Sequence, residues 1–262
     1  TAVGHEALKT MEPADGLSYN TAVGISAGKL LETGTNNTFV GALAGDATDD
    51  GEGNVAVGYQ ALSGNCGDDN TVVGKSAAAT STGDSNTCIG QAAGNALSDG
   101  FNNLFLGKDS GRSGSPGGNF TSQDNIIVLG DEAITAANIQ VDWTVASDQR
   151  DKTDFTALDL GLDFVKALAP VTYKWDKRSK YGDKTADDYD LLDQTPDGTH
   201  KEDWLDIGFK AQEVEALEQA AGYNKSNNTN LVSSHTSDDK QMGLQYSKFV
   251  PILVKAIQEQ NA

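Results

Sequence analysis

Two apolar residues followed by glycine recur along the first half of the chain: AVG at 2–4 and 22–24, FVG at 39–41, AVG at 56–58, VVG at 72–74, CIG at 88–90, FLG at 105–107 and VLG at 128–130. Gly24, Gly41, Gly58, Gly74, Gly90 and Gly107 are separated by 17, 17, 16, 16 and 17 residues. Self-similarity at a fixed period is the mark of a coiled repeat architecture. The unit reads Asn-Thr-x-Val-Gly-x-x-Ala, as at 20–27, 37–44, 70–77 and 86–93. Asn is read as the start of a turn, the β-branched residues as a short strand and Gly as a sharp bend. Thr and Val share one strand face and the residue between them points the other way. Both faces are largely apolar, so the pattern predicts a strand covered by its own coil on one side and by an identical chain on the other. The recurring small residue (Ala7, Ala27, Ala44, Ala61, Ala77, Ala93, Ser110) is expected to line a narrow column at that inter-chain contact.

After residue 146 the period becomes helical. Leu158, Leu162, Val165 and Leu168 stand at i, i+4, i+7 and i+10, and Pro170 ends the run. VTYKW at 171–175 alternates as a strand, 206–220 reads as a strand entering a helix, and 241–260 as a strand followed by a C-terminal helix. In that helix Tyr246, Phe249, Leu253, Ala256 and Gln260 are spaced 3, 4, 3, 4, with Val250, Val254 and Ile257 beside them. A stripe that wide suits packing against copies of itself, although Pro251 leaves only about a heptad and a half of regular helix. The stretches 176–203 and 222–240 are polar, carry no period and are expected to be long excursions.

Composition sharpens the division. Of 29 glycines, 23 precede Ser147, and the net charge of −19 comes from 5 basic against 17 acidic residues before Ser147 and 14 against 21 from it onward. No basic stripe exists for nucleic acid, and no apolar run is long enough to insert in a membrane. The excess acid keeps a long assembly soluble. The chain opens within its repeat at TAVG, which leads us to expect further repeats upstream. Cys66 and Cys88 form neither a disulfide framework nor a metal spacing, and Cys88 occupies an apolar slot. The acidic turns 46–53 and 66–70 lack the spacing of a calcium loop, so no metal and no cofactor is expected. The insertion 108–120 reads as a surface loop, with receptor contact as its sharper alternative.

The repeats resemble the heads of trimeric autotransporter adhesins and the β-structured shafts of bacteriophage tail fibres. The blocks SDQRDKTDFTALDLGLDFVKALAPVTYKWD, IGFKAQEVEAL and LQYSKFVPILVKAIQ resemble the C-terminal intramolecular chaperone of phage endosialidases, a self-cleaving serine peptidase family. This second resemblance implies cleavage of the Ala146–Ser147 bond, with Ser147 as nucleophile and Lys152 as general base. Asp148 and Arg150 are supporting candidates: Arg150 supplies positive charge or holds the turn through Asp148 or Asp151. A lysine accepts a proton only as the neutral amine, which burial or nearby positive charge favours. Spacing alone is weak, because Ser179 and Lys184 repeat it. The dyad meets only if 147–151 turns. His5, His200 and His235 offer no triad, the latter two being expected in solvent.

The fold expected is therefore a trimeric parallel β-roll or β-helix over 1–146, a fibre shaft, followed by an α+β chaperone and autoprocessing domain over 147–262. The resemblance implies a homotrimer on a virion, assembled in the bacterial cytoplasm, that meets a host receptor or glycan. The rivals are an adhesin that keeps its C-terminal domain as a receptor-binding tip and a glycosidase, for which no paired carboxylates stand out.

Overall fold

The computed structural model describes residues 1–262 except 13–17, 185, 187, 228 and 237. Its contacts group into two compact units. The first comprises Thr1–Ile134 with Tyr181–Thr195 and Thr236–Gln241; the second comprises Thr135–Lys180, Pro196–His235 and Met242–Ala262.

The first unit is a parallel β-solenoid. Its strands are β1 (Ala2–Val3), β2 (Thr21–Val23), β3 (Thr38–Val40), β4 (Val55–Val57), β5 (Thr71–Val73), β6 (Thr87–Ile89), β7 (Leu104–Leu106) and β8 (Ile127–Leu129), hydrogen-bonded in chain order as one eight-stranded sheet. Equivalent repeat positions pair, Ala22 with Phe39 and Phe39 with Ala56, so the register is the sequence period. The middle residue of each strand (Ala22, Phe39, Ala56, Val72, Cys88, Phe105) is fully buried in the coil interior. Burial pushes the Cys88 thiol up to about 12 and the Cys66 thiol up to about 11, consistent with inert packing residues.

The small-residue column lies elsewhere than expected. Ala27, Ala44, Ala61, Ala77, Ala93 and Ser110 belong to the interior of their own coil, not to a contact between chains. The backbone turns at the repeat glycine (φ +143 at Gly24) and again two residues later (φ +56 at Ser26), and this double bend aims the alanine inward. A Cβ on Gly24 would stand 2.4 Å from the Gly41 carbonyl oxygen, so the period needs glycine there for space as well as dihedral. The Thr and Val of each strand face outward, and Val23, Val40, Val73 and Ile89 are exposed in the single chain.

The repeat asparagines also differ from the turn-starting role expected of them. Asn20, Asn37, Asn54, Asn70, Asn86 and Asn103 are buried and form a ladder along the solenoid. The Asn54 Nδ2 donates to the Gly67 carbonyl at 2.8 Å, and its Oδ1 accepts from the Asn70 backbone N–H at 2.9 Å. The left-handed backbone falls on the preceding residue instead, as at Tyr19, Asn36, Asp69, Ser85 and Asn102. Replacing Asn54 by alanine strands a buried donor and a buried acceptor and is expected to cost about 2–4 kcal/mol, read as a lowered shaft melting transition. An unchanged transition would show that the ladder is dispensable.

The acidic turns give their carboxylates to neighbouring coils: Asp68 Oδ1 accepts from the Glu52 N–H at 2.8 Å, and Asp84 Oδ1 from the Asp68 N–H at 2.9 Å. The insertion 108–120 tucks Phe120 against Phe105, with ring centres 6.0 Å apart, so it closes the last coils of the core. Its Asn119 N–H donates to Asp238 Oδ2 at 3.1 Å, and Lys240 pairs with Asp190 at 3.0 Å, which ties the segments 181–195 and 236–241 into this unit.

The second unit is α+β. β9 (Val171–Tyr173) pairs antiparallel with β10 (Asp206–Gly208), and β11 (Ser233–His235) with β12 (Met242–Leu244). Three helices, α1 (Leu162–Ala167), α2 (Ala211–Ala220) and α3 (Phe249–Gln260), close a core of Leu160, Phe164, Val214, Val232, Phe249 and Ile252. The helical period that began at Leu158 becomes helix only from Leu162, because Gly161 adopts φ −132, ψ −136. The new start is capped from afar by Glu259, whose Oε2 accepts from the Leu162 N–H at 2.7 Å. A three-residue turn at Tyr246–Lys248 leads into α3, which buries Phe249, Ile252 and Ala256. Val250, Leu253, Val254 and Ile257 remain exposed on its other side.

Candidate functional site

The residues around Ser147 form a compact turn. Asp148 has extended dihedrals and its Oδ1 accepts from the Arg150 N–H at 2.9 Å, opening one turn of 3-10 helix over Gln149–Asp151. Short polar side chains commonly bond the backbone two residues on, which is why Asp begins a turn here. The Lys152 N–H closes it on the Gln149 carbonyl at 3.2 Å. Arg150 lies over the same carboxylate, its Nη2 reaching Asp148 Oδ2 at 2.5 Å and its Nε reaching Oδ1 at 3.1 Å. The guanidinium bond holds the Asp148 carboxyl below its ordinary range and the Asp148 carboxylate raises Arg150. Arg150 therefore holds the turn.

The turn reverses the chain enough for residues five apart to meet. Lys152 Nζ stands 2.6 Å from Ser147 Oγ and 3.4 Å from the Ser147 carbonyl oxygen. At that separation a proton can pass between hydroxyl and amine. Ala146, Ser147 and Lys152 are all exposed. Among the described residues no third group bonds to either member of the pair, which leaves a dyad open to solvent.

The other candidates separate clearly. Ser179 is buried, while the Lys184 ammonium is paired with Glu132. His5 and His200 are exposed. His235, placed in solvent by the sequence reading, sits on β11 with its Nε2 2.7 Å from Glu215 Oε1. Its excursion contains a strand that polar composition concealed.

One buried charge escaped the sequence reading altogether. Glu218 of α2 is fully buried and accepts from the N–H groups of Leu231 at 2.9 Å, Val232 at 2.5 Å and Ser233 at 3.0 Å, and from the Ser233 hydroxyl. It pins β11 to α2. Beside this lies a cleft of about 490 Å³ lined by Tyr173, Trp175, Phe209, Met242, Leu244 and Tyr246. Among the described residues no three His, Cys, Asp or Glu side chains are grouped to hold a metal.

Comparison with known families bears on this unit. Residues 147–223 match the family model described as the chaperone of endosialidase, beginning at Ser147 itself. The C-terminal part of the chain is an endosialidase-type chaperone domain. The matched region contains the dyad turn, α1, the β9–β10 pair and α2, while the β11–β12 hairpin and α3 follow it. Neither the curated proteins nor the solved structures searched gave a match. The chain thus joins a tail-fibre-like β-solenoid shaft to a chaperone domain.

Proposed function

We propose that this chain is the distal part of a phage tail fibre or tailspike, in which the chaperone domain gathers three copies, sets the register of the shaft and then cuts itself away before Ser147. The 2.6 Å approach of Lys152 Nζ to Ser147 Oγ carries the reading of the cut. The reaction needs Lys152 as the free amine; the Ser147 hydroxyl proton then passes to Lys152 Nζ as Oγ bonds to the Ala146 carbonyl carbon. The C–N bond to Ser147 then breaks, the departing nitrogen takes a proton, and water hydrolyses the ester to free an Ala146 carboxylate and restore the hydroxyl.

Assembly draws support from two unpartnered apolar surfaces. One is the α3 stripe of Val250, Leu253, Val254 and Ile257, spaced for helix-to-helix packing; the other is the outward Thr and Val face of the solenoid. Parallel coils depend on non-local contacts and expose strand edges while they form, so a helical domain that gathers three chains first would relieve a slow step. Virion location, assembly in the bacterial cytoplasm and attachment to a host receptor or glycan follow from the same reading.

Deleting 147–262 is expected to yield aggregated or monomeric shaft, measured by sedimentation. Soluble trimer from that truncation would refute the chaperone role. The exposure of the dyad favours a second reading, an adhesin that retains its domain as a tip. Intact mass of wild-type and Ser147→Ala chains decides between them.

A further inference from the structure

The proposed cut before Ser147 does not fall on the boundary between the two compact units. Residues 181–195 and 236–241 lie on the C-terminal side of the cut, yet they belong to the same unit as the solenoid. Cutting there leaves two pieces of the chaperone chain inside the shaft's unit, held by contacts that do not depend on the severed peptide bond.

The shorter piece is the tip of the β11–β12 hairpin, and it is a preformed turn. The Thr236 N–H donates to the Gln241 carbonyl at 2.9 Å and the Asp239 N–H to the Thr236 carbonyl at 3.0 Å. Asp238 Oδ1 accepts from the Thr236 hydroxyl at 2.6 Å and from the Lys240 N–H at 3.1 Å, which leaves Oδ2 to accept from the Asn119 N–H of the insertion at 3.1 Å. The insertion makes room for this approach. Gly118 stands at φ +90, and a Cβ there would come within 2.6 Å of Asp238 Oδ1 and 2.9 Å of Thr236 Cβ. Ser115 fixes the insertion from within: its buried hydroxyl donates to the Gly118 carbonyl at 3.2 Å and accepts from the Gly111 N–H at 3.0 Å. The longer piece buries Leu191 and sets the Lys184 ammonium against Glu132, just past β8. Lys240 pairs with Asp190 at 3.0 Å and so ties the two pieces to each other. Surfaces ordered before they meet lose little freedom on meeting, and two linked contacts hold more tightly than either alone.

We propose that the end of the shaft, the insertion 108–120 together with Glu132, is a docking surface for 181–195 and 236–241 of the same chain, so that the chaperone domain stays bound after the backbone is cut and departs only when this clamp opens. The inference rests on the reading of a cut before Ser147, and it makes cutting and departure two separate steps. Before the cut the peptide link keeps the contact intramolecular; afterwards the lifetime of the contact alone sets how long the two parts travel together.

An added protease tests this without the dyad. In Ser147→Ala chains a recognition sequence for a site-specific protease is placed between Gln140 and Val141, within a stretch whose residues are exposed from 133 to 146. After digestion a denaturing gel should show two fragments, and native mass at physiological salt should show one species holding both in equal number. Fragments that separate under native conditions overturn the proposal. Lys184→Ala combined with Asp238→Ala should speed dissociation of the cut pair about tenfold on dilution, and an unchanged rate would also overturn it. Should the double variant lose its melting transition before digestion, Glu132→Gln makes the same comparison from the shaft side, with faster dissociation expected and an unchanged rate again fatal. Failure of wild-type chains to cut themselves would remove the proposed cut and leave the docking result standing.

Discussion

Ser147→Ala chains are expected to remain whole, and wild-type chains to divide into 1–146 and 147–262. Alanine has no oxygen to bond to the Ala146 carbonyl carbon, so the loss should be complete on a denaturing gel and by intact mass. Lys152→Met keeps the stem and removes the amine. General-base assistance contributes about 10²–10⁴ in rate, so this variant should cut more slowly by that factor without losing the ability to assemble. Arg150→Gln tests position instead of chemistry: it loosens the turn that Asp148 holds, and should slow cutting less than the loss of the amine does. If wild type and Ser147→Ala give the same single band, the peptidase reading falls and the retained tip stands. If Ser147→Ala cuts as wild type does, the nucleophile has been misplaced.

Glu218→Ala should be the most damaging single change within the chaperone unit. It removes the acceptor for three consecutive backbone N–H groups and for the Ser233 hydroxyl, all in a place closed to water. Leaving such donors unmet costs about 3–5 kcal/mol, a large share of a small domain's stability. The expected result is loss of the domain's denaturation transition in Ser147→Ala chains. Because α2 and β11 both border the apolar core, soluble assembly should fail with it. Glu218→Gln keeps the shape and one acceptor oxygen but turns an amide N–H₂ toward backbone donors, so it should lie between. A transition within about 1 kcal/mol of wild type for Glu218→Ala would show that the buried carboxylate is not what holds β11.

The solenoid was legible because its period is imposed by geometry at every coil. Gly24 and its successors have no room for a Cβ, and residues such as Val72 and Cys88 must fill one bore, so the same residue kinds return at the same interval. The ladder of Asn37 and Asn54 was visible as a repeat but not in its role, since a turn residue and a buried hydrogen-bonding residue leave the same mark in sequence. The alanine column was likewise noticed, and only the double bend at Gly24 and Ser26 shows which way Ala27 points. Around the dyad, the sequence offered Asp148 only as a partner through which Arg150 could hold a turn; that Asp148 itself bonds two residues ahead, and so makes the turn that bare serine-lysine spacing does not provide, is visible only in the structure. Glu218 gave no signal, because EVEALEQA reads as a solvated helix and its partners lie 13, 14 and 15 residues away. The strand at Ser233–His235 was hidden for a similar reason, being short and polar, and pinned by a carboxylate on another element.

The stacking of one strand per coil also bears on how a fibre would fail under load. Hydrogen bonds between β2 and β3, and those of the asparagine ladder, run along the solenoid from coil to coil, so an end-on pull places successive coils in series and strains each by the same force. Strength is then set by the weakest link, not by the number of links. The step from Gly107 to Gly130 is the longest between repeat glycines, and the coil there relies on an inserted loop and Phe120 to fill its bore. A pull along the solenoid would therefore test that coil against its regular neighbours, since it is closed by an inserted loop and not by the repeat residues alone.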